Sequence, residues 1–207
     1  MKLSDKIFQI LRDRIVKLEY PPETRLSEEL LCQEFKVSRT PIREALQQLA
    51  AMNLIQTIPR YGTIVKPVNI NEVRNAYEVK VHLESLAGAL AAQRRTPGEL
   101  KKLKNILDEY NLAAKRGDIT SAKDVQFHET IYEATHNDVL ESSLKNLTSR
   151  CIRLCRLLIP QHLGVEPSVA TLSEIYDALA AGDSQLSGKL CQQHSQHYLD
   201  LLRESAL

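Results

Sequence analysis

SRTPIREALQQL, residues 38–49, is the stretch that decides the fold. Its apolar residues Ile42, Ala45, Leu46 and Leu49, continued by Met52, recur at the three- and four-residue spacing of one face of an amphipathic helix. Ser38 stands where an N-cap belongs, and Pro41 lies in the first turn, where a missing N–H costs nothing. Arg39, Thr40 and Arg43 fall on the opposite face of that turn. They are long or hydroxylated donors at the helix end that already favours phosphate. A surface helix with two solvated arginines has the same composition, so the flanks decide. Upstream, LSEELLCQEF (26–35) predicts a short helix with Ser27 as its cap and acids in its first turn, and Lys36-Val37 is a tight connection. Downstream, LIQTI (54–58) and TIV (63–65) are β-prone runs joined by Pro59-Arg60-Tyr61-Gly62, a turn carrying a cation and an aromatic. Helix, turn, helix and basic hairpin in that order predict a winged helix-turn-helix, a device for placing one helix in the DNA major groove.

The run LSEELLCQEFKVSRTPIREALQQLAAMNLIQTIPRYGTIV resembles the DNA-binding domain of the GntR family of bacterial transcription regulators, and the likeness covers residues 5–66. The resemblance implies that Ser38, Arg39, Thr40 and Arg43 contact DNA from the recognition helix. It also implies that Arg60, Tyr61 and Gly62 form the wing tip, which in the family approaches the minor groove. One position departs from the family's fatty-acid regulator: where that protein has a DNA-contacting arginine early in the second helix, this chain has Glu29.

A chain of 207 residues holds one large domain or two small ones, and 43% hydrophobic with 26% charged residues describes a folded, soluble protein. The net charge of +1 is uninformative, but its distribution is not. Residues 1–66 carry 11 basic and 8 acidic residues; residues 67–207 carry 16 and 18. The modest basic excess lies with the winged-helix pattern, as an electrostatic footprint for DNA should. The four cysteines, Cys32, Cys151, Cys155 and Cys191, form no C-x-x-C pair and read as free, buried thiols. The N-terminus is charged throughout with no apolar signal core, and no run approaches the length of a membrane span. The chain reads as cytoplasmic.

The first helix is expected from Ser4 to Leu18, stopped by Tyr20-Pro21-Pro22. After a linker at residues 67–70, everything reads as helical: 71–94, 97–117, 120–135, 139–158, 168–181 and 184–204, with a loop at 161–167. The expected organisation is a DNA-binding domain at 1–66, the linker, and an effector-binding and dimerisation domain at 71–207. The fold class is mainly α, a winged helix-turn-helix followed by a six-helix all-α bundle.

The second half resembles the FCD domain, the ligand-sensing domain of the fatty-acid-regulator branch of the same family. The likeness rests on YEVKVHLESLAGALAA, on DVQFHETIYEATHNDVL, and on an AGD break followed eleven residues later by His194; the six helices match the shorter, vanillate-regulator-like subgroup. Asp124 and His128 stand four apart on one helix, so both side chains leave the same face. Such a pair is often no more than a hydrogen-bonded pair. The resemblance implies more: in the FCD family an aspartate and three histidines hold a metal in the sensing pocket, and Asp124, His128 and His194 match three of those positions. The fourth falls on Leu172, which cannot ligate. Three ligands with open positions suit Zn²⁺, Ni²⁺ or Mn²⁺, weakly held, with water or an effector carboxylate filling the shell. His197 and His136 are the alternative histidines. Lys80, where the family often has a pocket-facing arginine, and Arg150 are the candidate effector contacts.

These readings make a ligand-responsive transcription regulator sensing a small organic acid. It would act as a homodimer on double-stranded DNA, whose operator is then a pseudo-palindrome. The alternative from another class is a metal-dependent hydrolase or oxygenase built on the Asp/His cluster. It leaves the winged helix without a purpose, and no nucleophile or acid–base pair stands beside the cluster in sequence. A helical adaptor without sequence-specific DNA binding is the third.

Overall fold

The computed structural model describes residues 2–116, 121–158 and 165–205. The chain forms two compact units, Met1–Val73 with Ile152–Leu157 and Arg74–Cys151 with Leu158–Leu207. The expected helix end near Gly117 and the part of the expected loop at 161–164 lie outside the described residues.

In the first unit, α1 (Leu3–Val16) buries Ile7, Leu11 and Ile15. It ends two residues before the expected Leu18, because Lys17 caps it and Leu18 turns left-handed at φ 63°. Helices α2 (Glu28–Phe35) and α3 (Arg39–Ala51) follow. Ser27 caps α2 by accepting the Leu30 N–H, and Lys36 closes it in the left-handed conformation that turns the chain toward α3. The α3 stripe is as read: Ile42, Ala45, Leu46 and Leu49 are buried together with the α1 face. Ser38 occupies the N-cap, but its side chain makes no capping bond there. Strands β2 (Ile55–Ile58) and β3 (Gly62–Val65) pair antiparallel, with Ile58 opposite Gly62. A two-residue strand that patterning did not reveal, β1 (Arg25–Leu26), adds to the far side of β3, giving the order β1-β3-β2.

The second unit is helical among the described residues. The helices after the hairpin are α4 (Ile70–Arg94), α5 (Pro97–Lys115), α6 (Ser121–Ala134), α7 (Asp138–Leu158), α8 (Val165–Ala181) and α9 (Ser184–Ser205). Thr96 and Glu99 close a capping box over the start of α5, with Pro97 in its first turn. Helix α8 begins three residues earlier than expected, so Pro167 sits inside its first turn, a position that needs no N–H. The core is formed by the inward faces of these helices, including Leu103 and Leu107 of α5, Phe127 and Ile131 of α6, Leu144 of α7 and Ile175 of α8.

Helices α4 and α9 pack antiparallel and approach closely at two glycines. A Cβ on Gly88 would come within 2.6 Å of the Ser187 carbonyl oxygen, and one on Gly188 within 2.8 Å of the Ser85 carbonyl oxygen. The Ser184 hydroxyl donates to the Ala89 carbonyl at 3.0 Å along the same seam. Backbone contact therefore sets the spacing of these two helices. Cys151 and Cys191 are buried and Cys32 is half-buried, none of the three in a disulfide; the Cys155 side chain lies outside the described residues.

Candidate functional site

The first unit presents a donor-rich surface. Ser38, Arg39, Thr40 and Arg43 are all exposed at the start of α3, turned away from its buried stripe. Arg43 is already occupied: its Nε donates to both oxygens of Glu28, at 2.9 and 3.1 Å. At the hairpin, Arg60 takes a positive φ of 64° and Gly62 one of 105°, so the turn bends through two left-handed residues. Tyr61 is exposed, and the Arg25 guanidinium stands 5.9 Å from its ring centroid. Arg25 is a cation that patterning missed. The only signal for it was its place two residues before the α2 cap, and β1 is too short to show an alternation.

The second unit brings together the residues read as metal ligands. Asp124 and His128 project from α6 and His194 from α9, and one ligating atom of each lies within 4.8 Å of the others. Both imidazoles are buried, and their rings stack with centroids 4.7 Å apart. His194 Nε2 lies 3.3 Å from Asp124 Oδ1, close enough for charge attraction but without hydrogen-bond geometry. His128 Nε2 and His194 Nε2 are both buried without a hydrogen-bond partner. Two orphaned nitrogens beside a carboxylate are costly in a packed interior unless something accepts their lone pairs. A divalent cation does so, and the donor set of two imidazoles and one carboxylate fits Zn²⁺, Ni²⁺ or Mn²⁺.

The electrostatics agree. Burial alone would raise the Asp124 carboxyl, but the His194 contact and the nearby His128 and Lys80 charges outweigh it and hold it below the ordinary value. Burial lowers the His194 imidazole, which favours the neutral, ligating form.

Lys80 is buried and engaged. Its Nζ donates to Glu84 Oε1 at 2.5 Å and to Ser195 Oγ at 3.1 Å, so it is not a free cation awaiting an acid. Burial alone would lower its ammonium; the Glu84 charge reverses this and raises it. Glu84, which sequence reasoning did not single out, is fully buried, also accepts the Tyr132 hydroxyl, and is held below the ordinary carboxylate range by Lys80 and His128 against the effect of burial. Arg150 is half-buried on α7. Leu172 is fully buried as part of the apolar core. The two alternative histidines stay outside the cluster: His136 is half-exposed at 3.5 Å from Glu99, and His197 is exposed.

Two family models match the chain. The one described as bacterial regulatory proteins, gntR family, matches residues 3–65, and the one described as FCD domain matches residues 75–197. The chain belongs to the gntR family, with an FCD domain after its helix-turn-helix. It is 26% identical to the HTH-type transcriptional regulator LutR of Bacillus subtilis over 89% of this chain and 94% of that one. It is also 26% identical to the HTH-type transcriptional repressor RspR of Escherichia coli, over 98% of this chain and 90% of that one. Among solved structures, E. coli McbR/YncC superposes over 100% of both chains with a TM-score of 0.84 at 22% identity, a likeness of fold. A gntR-family protein is a transcriptional regulator, so the hydrolase or oxygenase alternative is set aside: the family and these relatives are regulators, not enzymes. No helix among the described residues is long and apolar enough to cross a membrane.

Proposed function

We propose that this gntR-family regulator senses a small organic acid through a divalent cation held in its helical domain by Asp124, His128 and His194. The observation that carries the reading is the pair of buried, unpartnered imidazole nitrogens converging with a carboxylate. The cation would supply Lewis acidity, drawing a carboxylate oxygen to positions that the protein leaves open. Leu172 in place of a fourth ligand keeps those positions open and the cation weakly held. Lys80 serves the site by neutralising Glu84; Arg150 is the remaining candidate to meet the effector. The first 66 residues form the DNA-binding domain, 67–70 the linker, and 71–207 the sensing and dimerisation domain, in the manner of the vanillate-regulator-like subgroup.

DNA is contacted from α3 by Ser38, Arg39, Thr40 and Arg43, and by the wing through Arg60, Tyr61 and Gly62, with Arg25 behind Tyr61. A homodimer doubles this footprint on a pseudo-palindromic operator, in the cytoplasm where the chromosome lies. The effector acts by binding one state of the dimer more tightly than another and so shifting their populations.

The test is metal analysis of the purified protein with thermal melts in Zn²⁺, Ni²⁺ and Mn²⁺. The wild type should bind one cation per chain and melt higher. His128→Ala should lose the cation and the effector response while still binding operator DNA. A wild type without metal and without a shift, indistinguishable from His128→Ala, would sink the cation reading.

A further inference from the structure

His128 has a second unpartnered ring nitrogen. Its Nδ1 is buried and lies 3.4 Å from Glu84 Oε2, which is itself buried without a hydrogen-bond partner. The two orphans face each other across a gap that a small adjustment closes. The other oxygen of the same carboxylate is fixed: Oε1 takes Lys80 Nζ at 2.5 Å and the Tyr132 hydroxyl. Lys80 is tied in turn to Ser195, next to His194 in sequence, and Tyr132 lies 3.3 Å from the Thr148 hydroxyl. Burial and the Glu84 charge hold the Tyr132 phenol well above its ordinary value, so it remains a hydroxyl and a donor.

The two oxygens of Glu84 therefore have different tasks, and we infer that Glu84 is the positioning residue of the cation site: through Oε2 it accepts a proton held on His128 Nδ1, leaving Nε2 of that ring as the lone pair offered to the cation. A ligating histidine needs one nitrogen bare, and the partner of the other nitrogen decides which. A charged carboxylate also makes the imidazole a stronger donor to a cation than a carbonyl would. Lys80 and Tyr132 fix Oε1 and so aim Oε2 at His128. This inference rests on the cation reading above and adds to it the reason why His128 ligates through one particular nitrogen.

Glu84→Gln tests the role by near-isosteric exchange. Lys80 and Tyr132 hold the amide carbonyl in the place of Oε1, which leaves the NH₂ facing His128 Nδ1. A donor there forces the imidazole to carry its proton on Nε2, the wrong nitrogen for the cation. Nitrogen-15 NMR of the histidine rings in the metal-free full-length protein should show wild-type His128 protonated on Nδ1 and the variant protonated on Nε2. Competition against a zinc-binding indicator should show Zn²⁺ held about 10–100-fold less tightly by the variant. Tyr132→Phe removes one aiming contact and keeps the carboxylate, so it should keep the wild-type tautomer with a smaller loss of Zn²⁺ affinity. Wild-type protein that takes up no Zn²⁺ overturns the cation reading and this inference with it. Wild type that binds Zn²⁺ while Glu84→Gln binds it equally well overturns the role of Glu84 alone. Should Glu84→Gln not fold, the wild-type spectrum still decides, because a proton on His128 Nε2 there overturns the inference.

Discussion

Glu28 competes with DNA for Arg43, since both of its oxygens accept from the guanidinium Nε. The negative charge of Glu28 offsets the attraction of Arg43 for any phosphate, so the pair weakens sequence-independent binding. Glu28→Gln should therefore raise affinity for random duplex DNA and steepen its salt dependence, as read by fluorescence anisotropy across a salt series. Arg39→Ala and Arg43→Ala should each cost about 1–3 kcal/mol of operator affinity where the side chain reads a base, with unchanged circular dichroism because both point away from the buried stripe. A double variant that binds operator normally would remove α3 from the interface. At this scale the sequence was uneven. The Asp124–His128 pair was legible because helix geometry fixes an i, i+4 relation. His194 came only from resemblance. Glu84 stood in a quoted stretch and passed unnoticed, because a glutamate on a helix reads as solvated. Its burial depends on Tyr132 and His128 of α6, which no local pattern encodes.

Among the elements, the wing and the α4–α9 seam each depend on glycine for a different reason. Gly62 has φ 105°, and a Cβ there would meet only ordinary contacts with Arg25, so the penalty of a side chain is conformational, about 1–3 kcal/mol. Gly62→Val should weaken operator binding in a gel-shift titration and leave Zn²⁺ uptake by the helical unit unchanged; parallel loss of both would mean general unfolding. Gly88 is different, because the obstacle is a backbone carbonyl that cannot rotate away. Gly88→Ala should destabilise the helical unit by about 1–3 kcal/mol in denaturant melts, and a variant as stable as the wild type would mean the seam is looser than it stands here. Most helices were legible from apolar spacing, and α5 also from its cap and proline. The ends were less so. Helix α1 stops at a left-handed leucine rather than at the prolines, and α8 starts earlier because a proline in a first turn does not break a helix. Strand β1 exists only because β3 offers it an edge, a tertiary fact.

For the whole molecule, the expected assembly is a dimer, with a mass in light scattering twice the 23.4 kDa of one chain. A cation at a hundredfold excess over its dissociation constant should stabilise the helical unit by about 2.7 kcal/mol, and chelation should remove that increment. Acid should act through Glu133 as well. Burial would raise its carboxyl, but the pairs with Lys102 and Lys145 lower it below the ordinary 4.5. A lowered folded value means its contribution is present above about pH 4.5 and is lost as pH falls through the folded value. Glu133→Gln should lower the melting temperature slightly on the neutral plateau, and the two profiles should converge as pH falls through the folded value. The seam between α4 and α9 has a mechanical consequence. Two rods touching backbone to backbone at Gly88 and again at Gly188 have lost the freedom to move closer or to pivot about a single point. Axial sliding is opposed by the Ser184 hydrogen bond, so Glu84 and His194 behave as parts of one rigid jaw. The complementary jaw is α6, which carries Asp124 and His128. Adjustment of the cluster to a cation therefore falls to that side.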